Sequence, residues 1–146
     1  MTMQPLPQPI LQPIEGSDNM TVAQPYTVDL PVLNQRLTIL PGFVTDGASI
    51  PSLFWSCAGD PFSPHFVAAA VVHDALYSAE LTTRDKADEI FLELLEVEGL
   101  SWLHRNIFWF AVRVAGWTVW DEHTEETIAA ARKLCSLSDP PNGDAP

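Results

Sequence analysis

Apolar positions alternate with polar ones early in the chain and follow a helical period later. Residues 26–30 and 36–40 are rich in β-formers and flank a turn at residues 33–35, which predicts two short strands. Pro41 and Gly42 end the second run, and the polar composition of residues 46–51 predicts a loop. From residue 63 onwards, apolar residues recur at the spacing of amphipathic helices.

Start and stop signals divide this second part into four helices, over about residues 63–78, 82–99, 101–121 and 124–137. The predicted N-caps are Ser63, Thr82, Ser101 and Thr124. We therefore predict an α+β protein that is mostly α, in which a short N-terminal β element packs on a helical hairpin and two further helices.

The length of 146 residues fits one ordinary domain, which we place at residues 26–138. Residues 1–25 form a predicted proline-rich arm, because closely spaced prolines oppose regular structure. We expect this arm to stay off the domain's own core and to be ordered by another chain. Residues 139–146 are predicted to be a flexible tail, and the N-terminus lacks the pattern of a signal peptide.

The predicted third helix is rich in tryptophan and could be mistaken for a membrane span. Arg105 and Arg113 divide it into apolar runs of seven residues, far below the roughly 20 that a span requires, so no transmembrane segment is predicted. The arginines lie eight residues apart, on nearly one side, and leave a wide apolar surface. That surface fits either the core or a docking face for another subunit or lipid.

The composition of the chain limits the classes of molecule that it is expected to bind. The formal net charge of -12 repels phosphate backbones and anionic membrane surfaces, so we expect no nucleic acid partner. Divalent cations or basic proteins fit this charge better. Cys57 and Cys135 have no CxxC spacing; two buried thiols are favoured, and a disulfide stays open.

Helical spacing brings a histidine and an aspartate onto apolar faces. His73 and Tyr77 share the apolar side of the first predicted helix, and Asp88 lies on the same side of the second helix as Phe91 and Leu95. A buried charge without a partner costs several kcal/mol, so Asp88 is expected to meet His73 across the hairpin. Such a contact would fix the tautomer of the histidine and raise its basicity.

Two further acids suggest a cation site. Asp74 points about 100° round the helix from His73 and can face the loop that contains Asp46 and Gly47. Two carboxylates with backbone carbonyls suit a hard cation such as Ca²⁺, so these three residues are the predicted metal ligands. The structural alternative also stands: His73 is a satisfied core histidine and Asp46 caps a turn.

One pattern extends over about residues 26–121 and consists of residues 41–51, Trp55, residues 72–77, Arg84, residues 87–88, Phe91, residues 110–113 and residues 116–117. This pattern strongly resembles domain-of-unknown-function family 1353, whose members are small phage and prophage proteins. The resemblance implies a phage origin and supplies no mechanism.

A second resemblance concerns fewer residues. His73-Asp74-x-x-Tyr77, followed by Ala87-Asp88, is similar to the helix pair of phospholipase A2 enzymes. It implies that His73 is the general base, Asp74 a Ca²⁺ ligand and Asp88 the residue that orients the histidine, with Tyr77 in the catalytic set. The flanking disulfide cysteines of those enzymes are missing, the His–Asp interval is shorter, and Asp46-Gly47 would have to replace their calcium loop.

Two functions follow from these patterns. The first, which the proline-rich arm and the Trp-rich helix favour, is a phage virion or tail-assembly component that binds other phage structural proteins through both segments. The second is a Ca²⁺-assisted ester hydrolase of phospholipase A2 type that contacts lipid transiently during infection. Either function places the protein in the virion or in the cytoplasm of the host cell.

Overall fold

The structure is a computed structural model and describes residues 5–48, 50, 63–64 and 66–141. This part of the chain holds two three-stranded sheets and four α-helices, with the last strand after the last helix, and helical residues outnumber strand residues. The predicted α+β class with a mostly helical chain is therefore confirmed. Cys57, Trp55 and most of the loop after Ala48 lie outside the described residues. The choice between two buried thiols and a Cys57–Cys135 disulfide therefore stays open.

The strands form antiparallel sheets. One sheet has the order β1-β2-β5, with β1 at Leu11–Pro13, β2 at Met20–Val22 and β5 at Val44–Thr45. The other has the order β3-β4-β6, with β3 at Tyr26–Leu30, β4 at Gln35–Ile39 and β6 at Cys135–Ser138. The hairpin of β3 and β4 confirms the predicted strands to within one residue. Residues in β3 alternate between buried and exposed, as expected for a strand with one face on the core.

The N-terminal prediction is wrong for residues 5–25, because these residues pack on the domain itself. Leu6 and Val22 belong to the core. The Leu6 amide donates to Glu98 Oε1 at 2.8 Å, and the Tyr26 hydroxyl donates to the Pro7 carbonyl at 2.8 Å. Pro13 is compatible with β1 because that strand is at a sheet edge, where a missing N–H breaks no ladder.

The C-terminal end also differs from the prediction. The fourth helix stops at Arg132, and residues 135–138 form β6 instead of a last helical turn. Leu137 pairs with Leu37, and Cys135 lies buried opposite Ile39. The alternating Cys-Ser-Leu-Ser pattern fits a strand that completes a sheet, and this pairing outweighs the local helical preference.

The four helices are α1 at Val67–Ser78, α2 at Arg84–Val97, α3 at Trp102–Asp121 and α4 at Glu125–Arg132. Ser101 and Thr124 cap α3 and α4 with their side chains, as predicted. The predicted caps of the other two are wrong: α1 begins after Phe66 with no side-chain cap, and α2 is capped by Thr83, the neighbour of Thr82.

The core lies where α1 is covered by the other elements. Residues 67–77 of α1 are all buried, so this helix has no solvent face. Three phenylalanine rings pack together at the N-terminal end of α1. The ring centroid of Phe66 lies 4.2 Å from that of Phe108 and 5.6 Å from that of Phe91. Helix α2 contacts both α1 and α3 and therefore forms the middle of the helical layer.

Helix α3 buries one side only. Phe108, Ala111, Val112 and Gly116 are buried, whereas Trp102, Leu103, Phe110, Val114 and Trp117 are exposed. One side of this helix therefore belongs to the core, as one interpretation predicted, whereas docking of another subunit or lipid on the exposed side stays a prediction. In the described ranges, no helix is both long and apolar enough to cross a bilayer.

The packing of the N-terminal segment can be tested with two variants, each of which shortens one apolar side chain to alanine. We expect Leu6→Ala to lower the free energy of unfolding by about 2 kcal/mol, because Leu6 is only 7% exposed. Ile10→Ala is the control and should change it by less than about 0.5 kcal/mol, because Ile10 is 53% exposed. Denaturant titration measures both, and equal effects would contradict the packing described for Leu6.

Candidate functional site

A completely buried carboxylate, Asp88, organises the candidate site. Its Oδ1 lies 2.8 Å from His73 Nε2 and accepts a hydrogen bond of 2.8 Å from the Tyr77 hydroxyl. Its Oδ2 accepts a bond of 2.9 Å from Arg113 Nη1, which also donates to Asp85 at 2.6 Å. The predicted burial and pairing of His73 with Asp88 are confirmed.

Three helices supply these groups. His73 and Tyr77 are four residues apart and so lie on the same side of α1, with ring centroids 4.3 Å apart. Asp88 lies in α2 and Arg113 in α3, both of which pack beside it. The carboxylate therefore joins all three helices.

The surroundings of Asp88 determine its charge. Burial alone would raise its pKa, but the hydrogen bonds from His73, Tyr77 and Arg113 outweigh this effect, and the pKa is lower than usual. Burial, followed by the charge of Asp88, raises the pKa of Tyr77, which therefore stays a protonated donor. An ionised Asp88 is an acceptor only, so Nε2 of His73 must carry the proton that lies between them.

The second nitrogen of the histidine is in a different situation. Nδ1 of His73 is buried and has no hydrogen-bond partner in the described part of the protein. In the neutral tautomer with Nε2 protonated, Nδ1 holds a lone pair. Buried polar atoms normally have a partner, so this nitrogen calls for a water or a ligand.

His73 lines a cavity of about 200 Å³ between the first sheet and the helices. The polar lining comes from Asn19, Asp46, Asp74 and Ser78, besides His73 and Tyr77 themselves. Val44, Ala48, Gly116 and Val119 complete the walls. The cavity has room for several water molecules or a small polar group.

The two predicted acidic ligands meet beside this cavity. Asp74 Oδ2 accepts hydrogen bonds from the Thr45 hydroxyl at 2.5 Å and from the Asp46 amide at 3.0 Å. Burial, and then the neighbouring Asp46 carboxylate, raise the pKa of Asp74 well above its ordinary value. Gly47, with φ of +75°, turns the loop so that its amide donates to Thr45 Oγ1 at 3.4 Å.

This geometry brings Asp46, Gly47 and Asp74 together, as the sequence predicted. No group of three or more His, Cys, Asp or Glu side chains within the described ranges has the spacing of a metal site. A cation would therefore need backbone or water oxygens besides the two carboxylates. Calcium binding stays a prediction.

Sequence reasoning missed three contributors to the site. Arg113 was considered as an interruption of an apolar helix and as part of a family resemblance, but not as a partner of Asp88. A cation among apolar residues, with no acid within four residues on either side, signals a partner elsewhere. Asn19 was assigned to the arm, and its place in the cavity depends on the pairing of β2 with β5. Thr45 is completely buried, and no local pattern distinguishes it from an ordinary strand residue.

Removal of Asp88 tests its structural role. We expect Asp88→Ala to lower the free energy of unfolding at pH 7 by about 3 kcal/mol, because buried donors would lose their acceptor. The exposed Glu89→Ala on the same helix should cost a few tenths of a kcal/mol.

The pH dependence follows from the lowered pKa of Asp88. Its stabilisation is complete above the ordinary value of 3.8 and is lost as the pH falls through the lower folded value. Chemical denaturation at several pH values should show the two curves of wild type and Asp88→Ala converging at low pH. A constant difference between pH 7 and pH 2 would contradict the assignment.

The comparisons with known proteins concern this same region. Residues 20–112, more than half of the chain, match the family described as protein of unknown function (DUF1353). The match includes β2, β5 and the hairpin with His73, Asp74 and Asp88, and it ends at residue 112, just before Arg113.

Two curated relatives come from Sinorhizobium fredii (strain NBRC 101917 / NGR234). The uncharacterized protein y4jT is 33% identical over 81 residues, which are 53% of this chain and 24% of that protein. The uncharacterized protein y4iH is 31% identical over 72 residues, which are 49% of this chain and 30% of that protein. The matched region thus spans less than a third of either relative, and no solved structure matches the chain. By the extent of the family match, the chain belongs to the family of proteins of unknown function DUF1353.

Proposed function

We propose that the site is that of an ester hydrolase in which His73 activates a water molecule. The observation that carries the proposal is the environment of the imidazole: Nε2 bonds to Asp88, whereas Nδ1 is buried, has no partner among the residues that the structure describes, and belongs to a ring that lines a cavity. A core histidine with a purely structural role would have both nitrogens satisfied. A general base needs one nitrogen fixed and the other available.

The chemistry of the dyad follows from these bonds. His73 Nδ1 takes a proton from water as the water oxygen bonds to the carbonyl carbon of an acyl ester. Asp88 stabilises the imidazolium that forms, and Tyr77 and Arg113 keep Asp88 in place. When the tetrahedral intermediate collapses, the C–O bond to the alcohol breaks and His73 returns the proton to the departing alkoxide. The products are a carboxylic acid and an alcohol.

The acids beside the dyad suit a cation. Burial and then the nearby negative charge of Asp46 raise the pKa of Asp74. A cation bound beside both carboxylates would relieve the repulsion between them. We propose that Ca²⁺ binds to these carboxylates and to the Gly47 carbonyl. When bound there, it supplies positive charge for the developing oxyanion. The resemblance to the helix pair of phospholipase A2 supports the same assignment, with lipid esters as the substrate class.

A second candidate function rests on a different surface. Leu103, Phe110, Val114 and Trp117 are all exposed, and their spacings of seven, four and three residues align them along α3. Such an apolar surface fits a virion or tail-assembly component that docks on other phage structural proteins. The proline-rich arm adds less to this candidate than expected, because residues 5–25 pack on their own domain. The phage origin and the virion or cytoplasmic location belong to this proposal.

The enzyme proposal is tested by calcium titration and by hydrolysis of short-chain and phospholipid esters. We expect turnover that requires Ca²⁺ and falls by a factor on the order of 10³ in His73→Ala, since the loss of a general base costs about 10²–10⁴. His104→Ala is the matched control, because His104 is exposed and its Nδ1 lies 2.8 Å from the hydroxyl of the helix cap Ser101, away from the cavity.

A further variant separates the cation from the base. Asp74→Asn should weaken the binding of Ca²⁺ and leave the fold intact, because an amide oxygen can still accept from Thr45 and Asp46. Wild-type protein that is well folded yet shows neither Ca²⁺ binding nor turnover would falsify the hydrolase. The virion component would then remain.

A further inference from the structure

Gly116 occupies an unusual place in the middle of α3. A Cβ atom built on it would lie 2.5 Å from the Tyr77 hydroxyl oxygen and 3.1 Å from both Cε1 and Cζ of that ring. Cβ atoms essentially never lie within 3.0 Å of an atom from another part of the chain, so any larger residue at this position requires Tyr77 to move. The backbone of α3 therefore passes directly against the tyrosine.

Backbone conformation does not explain this glycine. The glycines with positive φ in the described part of the chain are Gly16, Gly42, Gly47 and Gly99, and Gly116 has ordinary helical geometry. Inside a helix, glycine is less favourable than alanine by about 1 kcal/mol. The contact with Tyr77 is the feature of the structure that gives a small residue here a use.

Tyr77 has little freedom to move. Its hydroxyl donates to Asp88 Oδ1, its ring lies 4.3 Å from that of His73, and Trp120 packs edge-on with a centroid distance of 5.1 Å. Only 4% of the residue is exposed. A larger side chain at position 116 that displaced Tyr77 would therefore break the hydrogen bond from Tyr77 to Asp88 or shift the ring of His73.

We propose that Gly116 is a positioning residue: its missing side chain allows α3 to hold the Tyr77 hydroxyl on Asp88, and thereby holds the His73–Asp88 pair. This inference deepens the proposed hydrolase and rests on it for its catalytic meaning. The same glycine lines the cavity, so a larger residue would also narrow the space beside His73.

The test is a double-mutant cycle of Gly116→Ala and Tyr77→Phe, measured by thermal unfolding. If the added methyl group were harmless, Gly116→Ala would raise the melting temperature through helix propensity. We expect it to fall instead, by roughly 3 °C or more. In the Tyr77→Phe background the closest atom is absent, so the same substitution should have a much smaller effect. Equal effects in the two backgrounds would overturn the proposal.

Two controls keep the cycle interpretable. Thr118 is exposed and lies two residues after Gly116 in α3, so Thr118→Ala should show no coupling to Tyr77→Phe. If Gly116→Ala alone is too unstable to purify, the double variant compared with Tyr77→Phe decides: near-equal stability supports the contact, and a similar collapse overturns it.

A spectroscopic readout separates positioning from bulk stability. The Nε2 proton of His73, bonded to Asp88, should give a low-field NMR signal that shifts in Tyr77→Phe. We expect Gly116→Ala to shift it in the same direction and Thr118→Ala to leave it in place. An unmoved signal in folded Gly116→Ala overturns the proposal.

Activity provides the link to catalysis. If the wild type hydrolyses esters, Gly116→Ala should lower kcat by about tenfold, as expected for a misplaced catalytic group. An unchanged kcat overturns the catalytic part of the proposal. A wild type without turnover refutes the hydrolase, whereas the stability cycle still decides whether Gly116 positions Tyr77.

Discussion

The helical layer depends on one requirement: the buried negative charge of Asp88 must be satisfied from more than one helix. An isolated carboxylate in this position would cost several kcal/mol. Helix α1 contributes two partners, His73 and Tyr77, and α3 contributes Arg113. The requirement links the relative position of α1, α2 and α3, and the close approach of α3 at Gly116 is part of the same arrangement. Hydrophobic packing of the phenylalanine cluster holds the other end of the layer.

Asp74 and Asp88, the aspartates that are buried in the described part of the chain, both accept hydrogen bonds but have different charges beside them. Burial alone would raise the pKa of Asp88, but hydrogen bonds from His73, Tyr77 and Arg113 lower it. Asp74 lies beside another carboxylate, and burial together with that charge raises its pKa. The imidazole of His73 connects the two environments, because it bonds to Asp88 and lines the cavity that Asp74 also lines. A base next to a site that favours added positive charge is an arrangement suited to hydrolysis, which is why the proposed function places the chemistry there.

The parts of the structure that follow from local rules could be predicted from the sequence. Helical period and capping residues gave α3 and the start of α4, and the cost of a buried charge gave the pairing of His73 with Asp88. What could not be predicted depends on contacts between distant segments. Prolines suggested a free arm, but Leu6 and Val22 find their places only once the sheets and helices have met. Likewise, β6 forms because β4 offers a free edge, and Arg113 reaches Asp88 from 25 residues away.

The proposed function requires that His73 holds a proton on Nε2 for Asp88 and keeps a lone pair on the buried Nδ1. Nitrogen NMR of the protein labelled with ¹⁵N at histidine measures this state directly, because protonated and unprotonated ring nitrogens have well-separated chemical shifts. At neutral pH, we expect a His73 ring with a protonated Nε2, coupled to a proton that exchanges slowly, and an unprotonated Nδ1. A ring protonated at Nδ1, alone or on both nitrogens, would contradict it, because no lone pair would then be available to accept a proton from water.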